Sequence, residues 1–152
     1  MGSEMCIRDR ILTGPRPVTG PVRAACLAPR ITMAARLTRA GIGSADGFSL
    51  NVSNYYTNAD NKKFGDELSG KLGGKHYVVD TSRNGLGSNG QWCNPSGRAV
   101  GAKPTTSTGD SKIDAYLWAK VPGESDGWCN GGPGAGQWWA DYALGLIQRA
   151  AW

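Results

Sequence analysis

Hydrophobic residues recur with two different periods between positions 48 and 72, and each period predicts one kind of element. Phe48, Leu50 and Val52 alternate with polar residues, which is the period of two expected for a strand. Apolar residues that recur every four positions then predict a helix over residues 58–72, with Thr57 as its N-cap. The first well-patterned region is therefore a strand followed by a helix.

The rest of the chain repeats this alternation. Gly73 and Gly74 end the helix, and residues 76–80 predict a second strand. After a loop rich in Gly, Asn and Ser, residues 115–121 predict a third strand. Residues 135–152 predict a helix with a mostly apolar surface, so we expect it to pack against a large neighbour. This alternation is typical of an α/β fold with a parallel sheet or barrel.

Polar side chains follow each of the three predicted strands. They are Asn51 and Asn54 after the first, Asp80 and Arg83 after the second, and Lys120, Glu124 and Asp126 after the third. Parallel α/β folds form their active sites at the carboxyl ends of the strands. The pattern alone therefore predicts a polar site with several carboxylates and two cations at this edge of the sheet.

The first 46 residues differ in composition from the rest. All thirteen aromatic residues lie after position 46, whereas seven arginines, four prolines and no lysine lie before it. A segment of this kind buries too little apolar surface to offset its ordering entropy. We therefore expect residues 1–36 to be a disordered or non-native tail and residues 37–152 to form the domain.

Net charge follows the same division. Seven arginines against three acidic residues give residues 1–46 a net charge of +4, whereas ten basic and nine acidic residues give residues 47–152 a net charge of +1. The basic character thus comes mostly from the tail, so we expect no nucleic-acid partner. No run approaches the roughly 20 apolar residues of a membrane span. With one His and no C-x-x-C pair, we expect no zinc site. Nothing in the sequence implies another metal or an organic cofactor.

Cys93 and Cys129 lie in two Gly-rich loops, each directly after a tryptophan. Two loop cysteines in an otherwise Cys-poor domain favour one disulfide and an oxidising compartment, with two free thiols as the alternative. The first ten residues lack the apolar core of a secretory signal peptide. We expect a secreted protein whose N-terminus is truncated.

Five tryptophans between positions 92 and 139 divide into two groups. Trp118, Trp138 and Trp139 fall in the predicted strand and helix, where we expect them in the core. Trp92 and Trp128 stand in loops beside Gly and Asn, where an exposed flat ring can stack on a sugar.

Glu124 and Asp126 are the candidates for carboxylate chemistry. They lie in a turn over residues 122–127, whose two glycines let the backbone approach a ligand. An inverting glycosidase needs one carboxylic acid to protonate the leaving oxygen and one carboxylate to activate water. From spacing alone, an acidic surface turn is the simpler interpretation.

Seven sequence blocks give a more specific signal. They are Gly47–Tyr55, Gly74–Gly85, Trp92–Pro95, Thr108–Asp110, Asp114–Lys120, Pro122–Gly127 and Ala135–Trp139. In this order they resemble the C-terminal part of the catalytic domain of the cellulases of glycoside hydrolase family 6. The resemblance implies part of a distorted parallel β/α barrel that hydrolyses β-1,4-glucan with inversion. The expected partner is cellulose or a cello-oligosaccharide, and we expect a monomer.

The resemblance also implies roles for individual residues. Asp126 matches the carboxylate proposed as the catalytic base, acting directly or through a chain of waters. Trp92 matches a sugar-stacking tryptophan, and Lys120 and Glu124 match residues that bind glucosyl hydroxyls near the cleavage point. The remaining matches are Asn51 or Asn54 and Arg83 as substrate-binding residues, Asp80 as a supporting carboxylate, and Cys93 with Cys129 as a disulfide.

One essential part of the family pattern has no match. The general acid stands on an earlier strand, and only part of a barrel of about 250 residues is present. We therefore expect this chain alone to hydrolyse cellulose poorly or not at all. The short link from Gly127 to Gln137 favours an endoglucanase over a cellobiohydrolase. The alternatives are a Trp-rich carbohydrate-binding module, which predicts antiparallel strands without helices, and an inactive gene fragment.

Overall fold

The computed structural model describes the backbone of residues 30–152 and the side chains of residues 33–152. Within this range three parallel strands form one sheet in chain order. The strands are β1 (Gly47–Leu50), β2 (His76–Asp80) and β3 (Ile113–Leu117). The central strand β2 aligns Phe48 with Tyr77 on one side and Val79 with Tyr116 on the other. The predicted α/β class is confirmed, and the antiparallel sheet of a binding module is not what these residues form.

Three α-helices accompany the sheet. They are α1 (Arg30–Arg39), α2 (Asn58–Lys71) and α3 (Ala140–Gln148), with a short 3₁₀-helix at Ile42–Ser44. The start of α2 is fixed by a capping box, because the Asp60 N–H donates to Thr57 Oγ1 and the Thr57 N–H donates to the Asp60 carboxylate. Gly73 and Gly74 take positive φ angles and end it, as predicted. None of the helices between residues 30 and 152 is long and apolar enough to cross a membrane.

Two of the predicted boundaries that move do so because backbone groups find other partners. The third strand ends at Leu117 rather than at Val121, since the Lys120 N–H donates to the Asp80 carboxylate instead of a neighbouring strand. The last helix begins at Ala140 rather than at residue 135. Residues 135–139 run alongside residues 123–125, with hydrogen bonds that include Ser125 N–H to Gln137 C=O at 2.9 Å.

The folded part begins earlier than residue 37, which corrects the predicted domain boundary. Helix α1 starts at Arg30, and its Ala34 and Leu37 side chains are buried in the main core. A helix without aromatic residues packs well here because small and branched apolar side chains at i and i+3 share one face. The rest of the predicted tail, residues 1–29, lies outside the described residues.

Two hydrophobic clusters hold the elements together. The main core joins α1, α2 and the sheet through side chains such as Leu37, Phe48, Leu68 and Val79. In a smaller cluster, Tyr142 and Leu146 on one face of α3 pack with Val100, and Trp118 and Trp139 pack against this cluster. The other face of α3 exposes Leu144 and Ile147. The sequence predicted a helix with a mostly apolar surface. In the described part of the chain, one face of that surface is packed and the other is exposed.

Candidate active site

A buried ion pair forms the centre of the polar site at the carboxyl edge of the sheet. Arg83 Nη1 lies 2.8 Å from Asp126 Oδ2, and Arg83 Nη2 lies 3.0 Å from Asp126 Oδ1. The Arg83 side chain is 0% exposed and that of Asp126 is 8% exposed. A bidentate guanidinium–carboxylate pair fixes both the position and the plane of the carboxylate.

Tyr55 closes the site beneath this pair. The Arg83 guanidinium lies over its ring at 4.5 Å from the centroid, and its hydroxyl donates to Asp126 Oδ2 at 3.2 Å. Burial raises the pKa of the Tyr55 phenol, an effect that the Arg83 charge only partly offsets. Burial is the largest single influence on Arg83 and acts to lower its pKa, but the hydrogen bonds to Asp126 and the charge interactions with Tyr55, Asp126 and Tyr142 together outweigh it, so the net pKa is raised. Both groups therefore stay protonated and act as donors to the carboxylate.

Asn94 forms hydrogen bonds with both the backbone and the carboxylate of Asp126. Its N–H donates to Asp126 Oδ2 at 3.0 Å, and its side-chain Oδ1 accepts from the Asp126 N–H at 2.7 Å. The Asn94 amide nitrogen also donates to the carbonyls of Gly127 and Cys129. Asn94 has a positive φ of 45°, which Asn tolerates better than most residues. The predicted Cys93–Cys129 disulfide is present and ties these two loops together.

The donors are unevenly shared between the two carboxylate oxygens of Asp126. Oδ2 accepts from Arg83, Tyr55 and Asn94, whereas Arg83 is the single donor to Oδ1 among the hydrogen bonds described. A carboxylate oxygen offers about two lone-pair directions. Oδ1 therefore keeps an acceptor direction for a water or a hydroxyl group, and Oδ2 does not.

Asp80 lies at the end of β2 and joins all three strand ends. Its Oδ2 accepts from the N–H groups of Ser53, after β1, and Lys120, after β3, at 2.9 and 3.2 Å. Its Oδ1 accepts from the Ser82 N–H at 2.9 Å. Asp80 is 1% exposed, so its carboxylate faces backbone and not solvent. It has the geometry of a supporting carboxylate.

Lys120 and Glu124 form the outer polar pair of the site. Lys120 Nζ lies 3.3 Å from Glu124 Oε2, across a turn closed by a hydrogen bond from the Glu124 N–H to the Val121 C=O. The Glu124 side chain is about one third exposed. Both groups are thus close enough to bind neighbouring hydroxyls of one ligand.

Four tryptophans are exposed to solvent, and all of them except Trp152, which is 52% exposed, lie between residues 92 and 138. Trp92 is 62% exposed, Trp128 is 85% exposed and Trp138 is 62% exposed. The expectation that Trp138 lies in the core is wrong, because residues 135–139 are not helical and the ring covers Gly123 from outside. Trp118 and Trp139 are partly buried against the smaller cluster.

Two residues predicted to bind substrate are buried instead. Asn51 is 1% exposed, and its amide nitrogen donates to the carbonyls of Tyr56 and Asp80. Its Oδ1 accepts from the Tyr56 N–H, so the side chain braces the turn after β1. Arg83 is enclosed as the counter-ion of Asp126. Neither side chain faces a cleft, whereas Asn54 is partly exposed.

The sequence patterns missed Tyr55 and Asn94 as functional candidates. Tyr55 is 71 residues and Asn94 is 32 residues away from Asp126 in the chain, so no local periodicity reveals these contacts. The one available signal for Asn94 is its place between Cys93 and Pro95, where an Asn suits an unusual backbone angle.

Comparisons with known proteins agree with this arrangement. Residues 24–150 match the family model Glycosyl hydrolases family 6. Endoglucanase A of Cellulomonas fimi is 57% identical over 117 residues, which cover 77% of this chain and 26% of that protein. Endoglucanase 1 of Streptomyces halstedii is 50% identical over 123 residues, which cover 76% of this chain and 37% of that protein.

A solved structure shows the same fold. The endoglucanase Cel6 from Mycobacterium tuberculosis, in complex with methyl-cellobiosyl-4-deoxy-4-thio-β-D-cellobioside, superposes with a TM-score of 0.76 at 51% identity. The match covers 84% of this chain and 44% of that chain. The chain thus spans between a quarter and a half of the relatives it matches. On the family match and these identities, this chain belongs to family 6 of the glycosyl hydrolases.

Proposed function

We propose that this chain supplies the base side of the active site of a secreted β-1,4-glucanase that hydrolyses cellulose with inversion. The observation that carries the proposal is the Asp126 carboxylate. It is paired with Arg83 through two hydrogen bonds, fixed in its plane, and left with an acceptor direction on Oδ1. Such a group can take a proton from the attacking water, directly or through a second water.

The surrounding residues suit a sugar chain. Trp92 offers an exposed ring for the apolar face of a glucosyl unit. Lys120, Glu124 and Asn54 lie around the same edge of the sheet and bind hydroxyls in this proposal. Asn51 and Arg83 are left out of the substrate contacts because both are buried. Asp80 keeps the three strand ends in place.

The acid partner belongs to the part of the relatives that this chain does not span. In an inverting glycosidase the two carboxyl groups stand about 6.5–9.5 Å apart, with the attacking water between the base and the sugar. We therefore expect the 152-residue chain alone to release no sugar from carboxymethyl-cellulose. Measurable release by the purified chain would contradict the assignment of Asp126 to one half of a two-carboxylate site.

Two finer properties complete the proposal. The loop between Asp126 and Trp139 is short, which leaves the cleft open and favours cuts within the glucan chain, as in an endoglucanase. The Cys93–Cys129 disulfide suits an oxidising compartment and hence a secreted protein.

A chimera tests the catalytic assignment. Residues 47–152 replace the matching segment of endoglucanase A of Cellulomonas fimi, which is 57% identical to this chain over the aligned region. We expect the chimera to lower the viscosity of carboxymethyl-cellulose and to release the α-anomer first, as followed by proton NMR. Asp126→Ala should reduce kcat by about 100-fold or more, the usual contribution of a general base.

The matched control is Asp114→Ala, an exposed carboxylate paired with His76 at 2.8 Å. This variant should keep full activity, and circular dichroism should show that all three proteins fold alike. A folded chimera without activity, or full activity in Asp126→Ala, would refute the proposed role of this chain.

A further inference from the structure

The Cys93–Cys129 disulfide has an exposed tryptophan directly before each of its cysteines. Trp92 precedes Cys93 and Trp128 precedes Cys129. The two cysteine Cα atoms lie 6.2 Å apart. Because consecutive Cα atoms are about 3.8 Å apart, the two tryptophan Cα atoms lie within about 14 Å of each other. The two exposed tryptophans are therefore held close together by the same disulfide.

The backbone that carries Trp128 is fixed on both sides. The Cys129 N–H donates to the Gly127 C=O at 2.8 Å, which makes Trp128 the central residue of a three-residue turn. Asn94 Nδ2 donates to the carbonyls of Gly127 and Cys129 at 2.8 and 3.1 Å. Asn130 Nδ2 donates to the Cys93 C=O at 2.8 Å and links the two loops again. Because its backbone is already held by these hydrogen bonds, Trp128 loses little backbone freedom when it binds a ligand.

The surroundings of the Trp128 ring combine a flat apolar surface with a nearby amide. The ring is 85% exposed, and one edge lies beside Gly134. A Cβ added at Gly134 would lie 3.5 Å from both Trp128 Cζ2 and the Gln137 side-chain carbonyl. The ring edge and the amide thus both border Gly134. A β-linked glucosyl unit has equatorial hydroxyls around an apolar C–H face, and this pairing fits both features.

We propose that Trp128 is a second glucan-stacking platform, which binds another glucosyl unit of the same β-1,4-linked chain that Trp92 binds. This inference rests on the proposed function for its ligand, but it concerns binding and not the reaction. An extended β-1,4-glucan is flat and reaches both platforms. A curved α-1,4-glucan presents its rings at changing angles, so we expect it to engage the two tryptophans less well.

Binding of cellohexaose to the 152-residue chain, measured by isothermal titration calorimetry, tests the proposal without any need for catalysis. We expect Trp128→Ala to weaken cellohexaose binding by about tenfold, the usual scale for one aromatic stacking contact. Trp128→Phe should retain most of the affinity, because it keeps a flat ring. The matched control, Leu144→Ala on the exposed face of α3, should bind like the unaltered chain. Maltohexaose should bind weakly to all of them.

Each other result has a defined meaning. Equal cellohexaose affinity in the unaltered chain and Trp128→Ala would overturn the platform, and so would a chain that binds no cellohexaose. An equal loss for maltohexaose would overturn its selectivity for β-1,4-glucan. None of these results touches hydrolysis by the chimera, which depends on Asp126. Because Trp128 is largely exposed, circular dichroism should show an unchanged fold in its variants.

Discussion

Replacing Arg83 by Met removes the buried guanidinium and keeps most of the volume of the side chain. In the unaltered protein the Arg83 and Asp126 side chains are 0% and 8% exposed and their atoms approach to 2.8 and 3.0 Å. Two charges about 4 Å apart at an effective dielectric constant of about 20 attract by about 4 kcal/mol. Removing one partner of a buried pair typically costs about 3–5 kcal/mol, because the other charge remains without compensation. Asp126 would keep only the hydrogen bonds from Tyr55 and Asn94.

We therefore expect Arg83→Met to lower the free energy of unfolding by about 3–5 kcal/mol at pH 7. Urea denaturation followed by tryptophan fluorescence measures this change. Arg36→Met is the matched control, since Arg36 is exposed on α1 and its replacement should change the free energy by no more than about 0.5 kcal/mol.

A second substitution separates the charge from the packing. Asp126→Asn in the Arg83→Met background removes the stranded negative charge, so the double variant should be more stable than the sum of the two single changes predicts. A cost below about 1 kcal/mol for Arg83→Met, or strictly additive single effects, would refute the view that this pair is buried and coupled.

The remaining predictions concern packing, pH and the disulfide. Gly65→Ala should destabilise the protein by about 1–3 kcal/mol, because its Cβ would lie 2.4 Å from the ring of a core tyrosine. In the same helix Gly70→Ala meets nothing within 4 Å and should stabilise by up to about 1 kcal/mol, so equal effects in urea denaturation would contradict this packing. A hydrogen bond from Lys62 holds the pKa of Asp110 below its usual 3.8, so its carboxylate stabilises the fold above that pH and the contribution is lost as pH falls through the lowered pKa. Asp110→Asn should therefore flatten the fall in urea midpoint between pH 4 and pH 2, and an unchanged slope would disprove the contribution. Replacing Cys93 and Cys129 by Ser opens a loop with a sequence separation of 36 and should lower the free energy of unfolding by about 4 kcal/mol on the chain-entropy estimate, measured by urea denaturation. A loss no larger than that of the control Arg36→Met would contradict this estimate.

The elements that the sequence predicts well are those in which several local signals agree. Strand β2 has the predicted limits, and α2 starts after Thr57, where the Thr57–Asp60 capping box and the apolar spacing coincide. The predicted start of the last helix was wrong because residues 135–139 form hydrogen bonds with distant residues, such as the Ser125 backbone, which no local pattern contains. Residues 30–36 of helix α1 were assigned to the tail because their composition resembles that of the residues before them. Its burial depends on the core it meets and not on aromatic content.

The candidate site divides in the same way. Strand ends predicted that these polar side chains would lie at one edge of the sheet, and they do, since parallel strands bring their carboxyl ends together whatever the details of packing. Which polar side chains turn inward at that edge depends on the loops above them. Asn51 and Arg83 are therefore buried where exposure was expected, and Asn94 contacts Asp126 through a link that spans two loops.

The carboxylate of Asp80 has a consequence for how the strand-end loops move. Because one side chain accepts the N–H groups of Ser53, Ser82 and Lys120, breaking its contacts releases the loops after β1, β2 and β3 together. These three amides then belong to one cooperative opening unit and exchange with deuterium at a common free energy, although they lie far apart in sequence.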